Sequence, residues 1–373
     1  MTSKICHVTS AHGRYDTRIL LKECQSLAAA GYDVSLIVND SKQDEVFGGV
    51  KIVSTGFAPG NRYERMVLSR KYIKEQVVKV DADIYHLHDP ELLYLVKFLH
   101  KRGKKVIFDS HEDYVSTIIE KDWIAKGLRK FIVKAYEKYE HDVISMADGA
   151  VVCYHWTQDR YVKCNDNVEM VLNFPVIRDD YKPAEISFDE NAIGYAGGIS
   201  EQWCHEDIME ALKILNGVKY KLAGNLTGPY GERLKSRSEF ERFVEYKGKL
   251  PQHEVNNVIY SKSFAGVALL DYISQCKGTI GNLSNTKFFE CMYAGVPLIC
   301  TDFKLWKEIV DEEKCGICVN PHDPQQIADA VSYLKEHPEE ARQMGINGYN
   351  AIIDKYNWDK EKEKLLALYS RII

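Results

Sequence analysis

The sequence predicts an α/β fold of two doubly wound, Rossmann-like domains facing across a cleft. Three observations predict it. The chain has 373 residues, too long for one ordinary core and suited to two domains of roughly 150–200 residues. Short apolar runs alternate with helical periodicity, which reads as parallel strands joined by right-handed crossovers. The alternation stops at a polar, proline-bearing stretch and then restarts. Ligands of such folds bind outside the carboxyl ends of the strands.

The elements follow in order. Residues 5–9 are a short apolar run, followed by a Gly-containing turn and a helical pattern over 18–30 that Gly31 stops. Asp16 stands just before this pattern and suits a cap. Further strands are expected at 34–38, 52–54, 84–88, 106–108 and 150–153. Asn173-Phe174-Pro175 and the polar stretch 179–190, with Pro183, form the linker candidate. The second half has expected strands at 192–196, 220–223, 266–270 and 296–300, with helices at 207–215, 287–294 and 327–336. Residues 358–373 form an amphipathic helix with Leu365, Leu368, Tyr369 and Ile372 on one side, suited to packing back across the linker. The resulting division is a domain over 1–175, a linker over 176–190, a domain over 191–355 and a final helix over 356–373.

Composition narrows the function classes. Hydrophobic residues make up 45% and charged residues 28%, ordinary values for a folded chain rather than a disordered one. The net charge of −5 argues against a nucleic-acid reader. The N-terminus lacks the apolar core of a secretory signal, and no apolar run approaches the ~18 residues of a membrane span. We therefore expect a cytoplasmic protein. The ten cysteines are scattered, and Cys315 and Cys318 lack the second pair that a zinc ribbon needs.

Candidate chemistry gathers at strand ends. Ser10-Ala11-His12-Gly13-Arg14 follows the first strand, where backbone amides can approach an anion and Arg14 and Arg18 add charge. His86-Leu87-His88-Asp89-Pro90-Glu91 and Asp109-Ser110-His111-Glu112-Asp113 also follow strands. We read His86 and His88 as pointing apart, against a shared zinc, and His111 as a hydrogen-bonding or polarising group. Gly197-Gly198 permits close backbone approach to a ligand, and Ser200 or Asp207 is a candidate cap for the next helix.

The sharpest segment is 282–297, Asn-Leu-Ser-Asn-Thr-Lys-Phe-Phe-Glu-Cys-Met-Tyr-Ala-Gly-Val-Pro. Asn285 and Thr286 start a helix whose leading amides suit a phosphate. Lys287 in the first turn opposes the helix dipole at a cost of about 0.3–1 kcal/mol, which a bound anion reverses. Glu290 shares its face and can take two sugar hydroxyls; the alternative is a plain Lys–Glu surface pair. Residues 123–138, from Trp123 to Lys138, interleave basic and apolar side chains. That helix either lies on an anionic membrane or buries its apolar face in the core.

Taken together, these motifs resemble the retaining glycosyltransferases of family 4, in the GT-B fold, over nearly the whole chain. The resemblance rests on Asp16-Thr-Arg-Ile19, His86–Glu91, Asp109–Asp113, Tyr195-Ala-Gly-Gly-Ile-Ser-Glu201, Asn285–Pro297 and Tyr356-Asn-Trp358. It implies an acceptor-side first domain and a nucleotide-sugar-binding second domain. It implies transfer, with retention, of a sugar from a nucleotide diphosphate sugar to a glycan or lipid-linked acceptor, as in cell-surface polysaccharide synthesis. No cofactor and no metal are implied for holding the diphosphate. By the resemblance, His111, Lys287 and Glu290 are catalytic. Lys287 would meet the diphosphate, Glu290 the ribose hydroxyls, and His111 would stand beside the donor sugar. Gly13, Gly198, Asn282, Asn285 and Thr286 would bind the donor. Membrane contact would be peripheral, at the inner face of the plasma membrane.

Two departures stand out. The family's Glu-x7-Glu pattern has Asn282 in its first position, and Gln202-Trp203-Cys204-His205 stands where relatives carry an Arg or Lys. Lys249, Lys277 or a first-domain Arg would then have to supply the missing cation. The departures motivate the alternative of a non-catalytic nucleotide-sugar-binding homologue. A nucleotide-sugar epimerase on the same architecture is a further alternative.

Overall fold

The computed structural model describes residues 3–120, 125–215 and 217–373. The chain forms two compact units, Met1–Asn173 with Trp358–Ile373, and Phe174–Asn357. Residues 176–190, expected as the linker, thus fall within the second unit, and the C-terminal helix falls within the first.

The first unit is built on an eight-stranded sheet: β1 (Lys4–Val8), β2 (Asp33–Val38), β3 (Glu45–Phe47), β4 (Val50–Ser54), β5 (Ile84–Leu87), β6 (Lys105–Ser110), β7 (Gly149–Val152) and β8 (Val168–Met170). Their order is β3-β4-β2-β1-β5-β6-β7-β8. Every pairing is parallel except β3 with β4. β1 and β5 are buried along nearly their whole lengths because helices cover both sheet faces, which is why they read as apolar runs without alternation. Connections run outward on both sides from β1 and β5, so the topological switch point lies between them.

The C-terminal helix Trp358–Ile372 completes this unit. Leu365, Leu368, Tyr369 and Ile372 are buried in its core with Ile5, Leu20 and Ile107. Two buried polar ties hold the helix in register. Trp358 Nε1 donates to Ser26 Oγ at 2.9 Å, and Leu172 N donates to Glu361 Oε2 at 2.7 Å.

The second unit has a six-stranded, all-parallel sheet: β9 (Ala192–Ala196), β10 (Lys219–Ala223), β11 (Val244–Tyr246), β12 (Ala265–Ala268), β13 (Leu298–Thr301) and β14 (Gly316–Val319). The order β11-β10-β9-β12-β13-β14 sets its switch point between β9 and β12. Short edge strands β3, β8 and β11, three residues each, carry no strong apolar signal and escape the sequence reading. Cys318 on β14 stands beside Cys300 on β13, with the sulfurs 3.7 Å apart and no disulfide.

The helix Lys126–Ile144 carries the second part of the basic amphipathic segment; Trp123 lies outside the described residues. Phe131 is 73% exposed and Leu128 57% exposed, so these two apolar side chains are not core residues. Among the described residues, no helix is long and apolar enough to cross a membrane.

Candidate functional site

A cavity of about 250 Å³ opens in the second unit at the carboxyl ends of β9, β10 and β11. It is lined by Gly197 and Gly198 after β9, Gly224 and Asn225 after β10, Lys249, Leu250 and Gln252 after β11, and Lys287 and Glu290. Backbones cross closely here. A methyl group on Gly224, at φ 155°, would stand 2.0 Å from the Gly197 carbonyl oxygen. A methyl group on Gly197 would stand 2.4 Å from Lys287 Cε, so the lysine stem lies across the glycine. Tyr195 fastens the loop by donating its hydroxyl to Gly198 O at 2.6 Å.

Lys287 and Glu290 stand on the helix Thr286–Ala294. Asn285 caps it, its side-chain oxygen accepting from Lys287 N at 3.1 Å, and Gly295 ends it in the left-handed conformation at φ 76°. Phe288, Phe289, Cys291 and Met292 anchor the opposite face in the core. The Lys287 ammonium pairs with the Glu290 carboxylate, which offsets the unfavourable first-turn cation. Thr286 begins the helix next to the cap. With Lys249 the cavity carries two cations and one carboxylate, an imbalance suited to an anion. Lys249 thus stands where a substitute for the missing Arg or Lys could act.

Asn282 has another set of partners. It is 7% exposed, its Oδ1 accepts from Ser284 N at 3.0 Å, and its Nδ2 points to Cys276 Sγ at 3.3 Å. Its backbone oxygen accepts from Trp306 Nε1 at 2.8 Å. The side chain holds the loop ahead of the helix and does not line the cavity. Gln202 is exposed, whereas Trp203-Cys204-His205 turns inward. Trp203 and His205 are buried, and Cys204 adopts φ 48° at the start of the helix His205–Ile214. Neither Ser200 nor Asp207 makes a capping side-chain bond, contrary to expectation.

The strand ends of the first unit correct three expectations. The amides of Ser10 and Ala11, expected to face an anion, donate to Asp89 Oδ2 at 2.6 and 3.2 Å. Burial would raise the Asp89 carboxyl, but His12, these amides and Thr9 hold it well below the usual carboxylate range. Arg14 and Arg18, expected to add free positive charge, are spent in ion pairs. Arg14 grips Asp40 at 2.8 Å and Glu45 at 2.7 Å, and Arg18 meets Glu23 at 2.9 Å and Asp109 at 3.2 Å. His86 and His88 do not point apart. Residues two apart on a strand share a face, and their rings stack 4.7 Å apart at 14°.

His111 stands at the end of β6 with Nε2 3.2 Å from His12 Nε2 and Nδ1 3.7 Å from Asp109 Oδ1. Burial opposes ionisation of Asp109, yet Arg18, His111 and His88 hold its carboxyl well below the usual range. Gly13 is exposed, and a methyl group there would meet nothing within 4 Å. A second cavity of about 550 Å³ adjoins this loop, lined by His12, Arg62, Arg65, Glu112, Tyr114 and Thr117 among others. The connection 57–68 is one of the two first-domain loops, with 114–123, that the sequence offers for reading an acceptor, but Arg62 and Arg65 within it are not singled out by sequence reasoning.

Two doubly wound units, one with a glycine-lined, lysine-bearing cavity at its strand ends, form an arrangement suited to an anionic ligand. Residues 17–174 match the family model described as Glycosyltransferase Family 4, and residues 202–367 match the one described as Glycosyl transferase-like. Between them the matches take in most of the chain, which belongs to these glycosyltransferases and has the GT-B fold. An 85-residue stretch is 25% identical to the MMP alpha-(1->4)-mannosyltransferase of Mycolicibacterium hassiacum. That stretch covers 22% of this chain and 21% of the relative, about a fifth of each. Sucrose-phosphate synthase from Thermosynechococcus elongatus superposes with a TM-score of 0.76 at 16% identity, covering 99% of each chain. An Anabaena protein, HepE, in complex with UDP and glucose, superposes at 0.69 with 10% identity, covering 99% of this chain and 100% of that one.

Proposed function

We propose that this glycosyltransferase moves a hexose, with retention, from a nucleotide diphosphate sugar to a glycan or lipid-linked acceptor in cell-surface polysaccharide synthesis. The observation that carries the reading is the pairing of Lys287 and Lys249 around the Gly197–Gly198 loop at the N-terminus of a capped helix. Two ammonium groups and the leading amides suit a diphosphate without a metal. At about 250 Å³ the cavity suits the diphosphate and part of what adjoins it. Glu290 exchanges its Lys287 contact for ribose hydroxyls when the lysine turns to phosphate. His111 is the first unit's candidate group by the resemblance, with Asp109 Oδ1 3.7 Å from its Nδ1.

UDP-glucose is the first donor to try, since it combines the two compounds bound by the Anabaena protein. GDP-mannose is the second, given the mannosyltransferase relative. The test is calorimetry with a panel of nucleotide sugars, followed by product analysis with an added acceptor. One donor binding in the micromolar range and giving a retained linkage supports the reading. Binding of none sinks it. Binding without turnover on any acceptor would favour the non-catalytic alternative, and donor conversion without acceptor would favour the epimerase.

We further propose cytoplasmic location with peripheral contact at the inner membrane face through the helix Lys126–Ile144. Exposed Leu128 and Phe131 beside Lys130, Lys134 and Lys138 suit an anionic lipid surface. Sedimentation with phosphatidylglycerol vesicles, abolished by Phe131→Ser with Lys130→Glu, is the expected outcome. Equal pelleting of the variant contradicts it.

A further inference from the structure

Beneath the first unit's loops lies a cluster that the donor site does not use. His7 on β1 and His86 on β5 are register partners across the switch point, and His88 follows on the same face. The three ring centroids are 4.6, 4.7 and 5.0 Å apart. Glu23 reaches them from the helical turn Ile19–Cys24. His7, His86 and Glu23 are fully buried and His88 is 2% exposed.

Each imidazole uses one nitrogen outward. His88 Nδ1 lies 3.2 Å from Asp109 Oδ2. His86 Nδ1 and His7 Nε2 lie 2.8 and 3.3 Å from the Tyr369 hydroxyl. The other nitrogens turn inward. His7 Nδ1 and His88 Nε2 are 2.8 Å apart, and each is 3.9 Å from Glu23 Oε2. His86 Nε2 has no hydrogen-bond partner, and the charged neighbours of Glu23 and of His88 Nδ1 stand off good hydrogen-bond geometry. Arg18 Nε faces Oε1 at 2.9 Å, which leaves Oε2 toward the histidines.

We propose that His7, His86, His88 and Glu23 form a buried site for a divalent transition-metal ion of the zinc type. Three corners separated by 3.9, 3.9 and 2.8 Å share an in-plane centre about 2.1 Å from each, within the usual Zn–N and Zn–O range, and the short His7–His88 edge opens on binding to reach tetrahedral angles. One ligand atom from each of the four residues lies within 4.8 Å of the others. Outer nitrogens held by a carboxylate and a hydroxyl are the pattern that orients metal-binding imidazoles. Proton accounting points the same way. In the ion-free state a chain from His86 Nδ1–H through Tyr369, His7 and His88 to Asp109 assigns every bridging proton once and places one on His7 Nδ1, which metal binding moves to Nε2, the tautomers being inferred from the network. It still leaves the His86 Nε2 lone pair unmatched in a dry core, a position that a cation would fill. Four protein ligands without an open position make the ion structural. It ties β1, β5 and the 19–24 turn together and, through Tyr369, fastens the C-terminal helix.

The test uses the full chain. Mass-spectrometric metal analysis of the purified protein is expected to give about one equivalent. After chelation, Zn²⁺ at a hundredfold excess over its dissociation constant should raise the melting temperature by about 5–10 °C. Glu23→Gln and His86→Gln should each lose that rise. His322→Ala, which breaks the Cys204–Asp207–His322 cluster in the second unit, should keep it. If the ligand variants do not fold, Co²⁺ in the wild-type chain decides: intense tetrahedral visible bands without a thiolate charge-transfer band support the site. A metal-free protein with no Zn²⁺-dependent shift overturns the proposal. So does a thiolate band, or loss of binding in His322→Ala alone.

Discussion

Replacing Lys287 by alanine should weaken donor binding far more than it weakens the fold. The ammonium pairs with Glu290 one turn along the helix, and the two side chains are 17% and 26% exposed. A pair of this kind contributes about 0.2–0.5 kcal/mol, while a cation in the first turn costs about 0.3–1 kcal/mol. The two nearly cancel, so the melting temperature should move by no more than about 3 °C. Loss of the stem over Gly197 is tolerated because the stem faces the cavity rather than the core. A charge-assisted contact to a diphosphate is worth about 1.5–3 kcal/mol, or roughly 10–150-fold in the dissociation constant. Calorimetry with UDP and UDP-glucose, beside a thermal melt of each protein, reads both quantities. The Lys249→Ala variant should show a loss of similar kind, and the double variant should lose most of the salt dependence of binding. Dissociation constants within twofold of the wild type for the Lys287 variant would refute the assignment. A melting temperature lower by more than about 10 °C would show the lysine to be structural instead.

Three further perturbations follow from the geometry. Gly224→Ala introduces a methyl group 2.0 Å from the Gly197 carbonyl at a φ of 155°, so it should cost more than about 2 kcal/mol and abolish donor binding; a wild-type denaturation midpoint would contradict this. Burial pushes His205, bonded to Tyr220 at 2.9 Å, down to about 3, against about 6.5 when unfolded. The unfolded chain binds the extra proton between those values, so stability is full above about 6.5 and falls as pH drops toward 3. In His205→Gln, urea midpoints measured from pH 7 to 4.5 should fall less steeply, and equal slopes would dismiss the effect. Asp89→Ala strips the Ser10 and Ala11 amides of their acceptor and should destabilise the first unit by about 3–5 kcal/mol, with faster proteolysis of residues 9–16; unchanged cleavage would count against it.

Much of the fold is legible in the chain because the strands beside the switch points are buried on both faces and read as unbroken apolar runs. Ile5, Val8, Ile84 and Leu87 are of this kind, as are Ile193 and Tyr195. The short strands β3, β8 and β11 escape because a three-residue edge needs neither apolar continuity nor alternation. The Lys287–Glu290 helix is legible through local rules: a capping asparagine, a helical spacing of three and a terminating glycine. Lys249 could be named only as one of several substitutes, since its place in the cavity depends on how far β11 runs before its loop turns.

Periodicity, capping and turn chemistry act over a few residues. They suffice to settle the α/β class, the order of the strands' appearance and the helix that carries Lys287. Tertiary contact decided who consumes whom. Asp89 reaches back nearly eighty residues to take the Ser10 and Ala11 amides. Asp40 and Glu45 neutralise Arg14, while Glu23 and Asp109 neutralise Arg18. Asn282 is spent on Ser284 and Cys276. His7, His86 and Tyr369 meet only because β1 and β5 are neighbours and the last helix returns to the first unit. A polar group's role depends on its nearest partners in space, and in a doubly wound sheet those partners lie far apart along the chain.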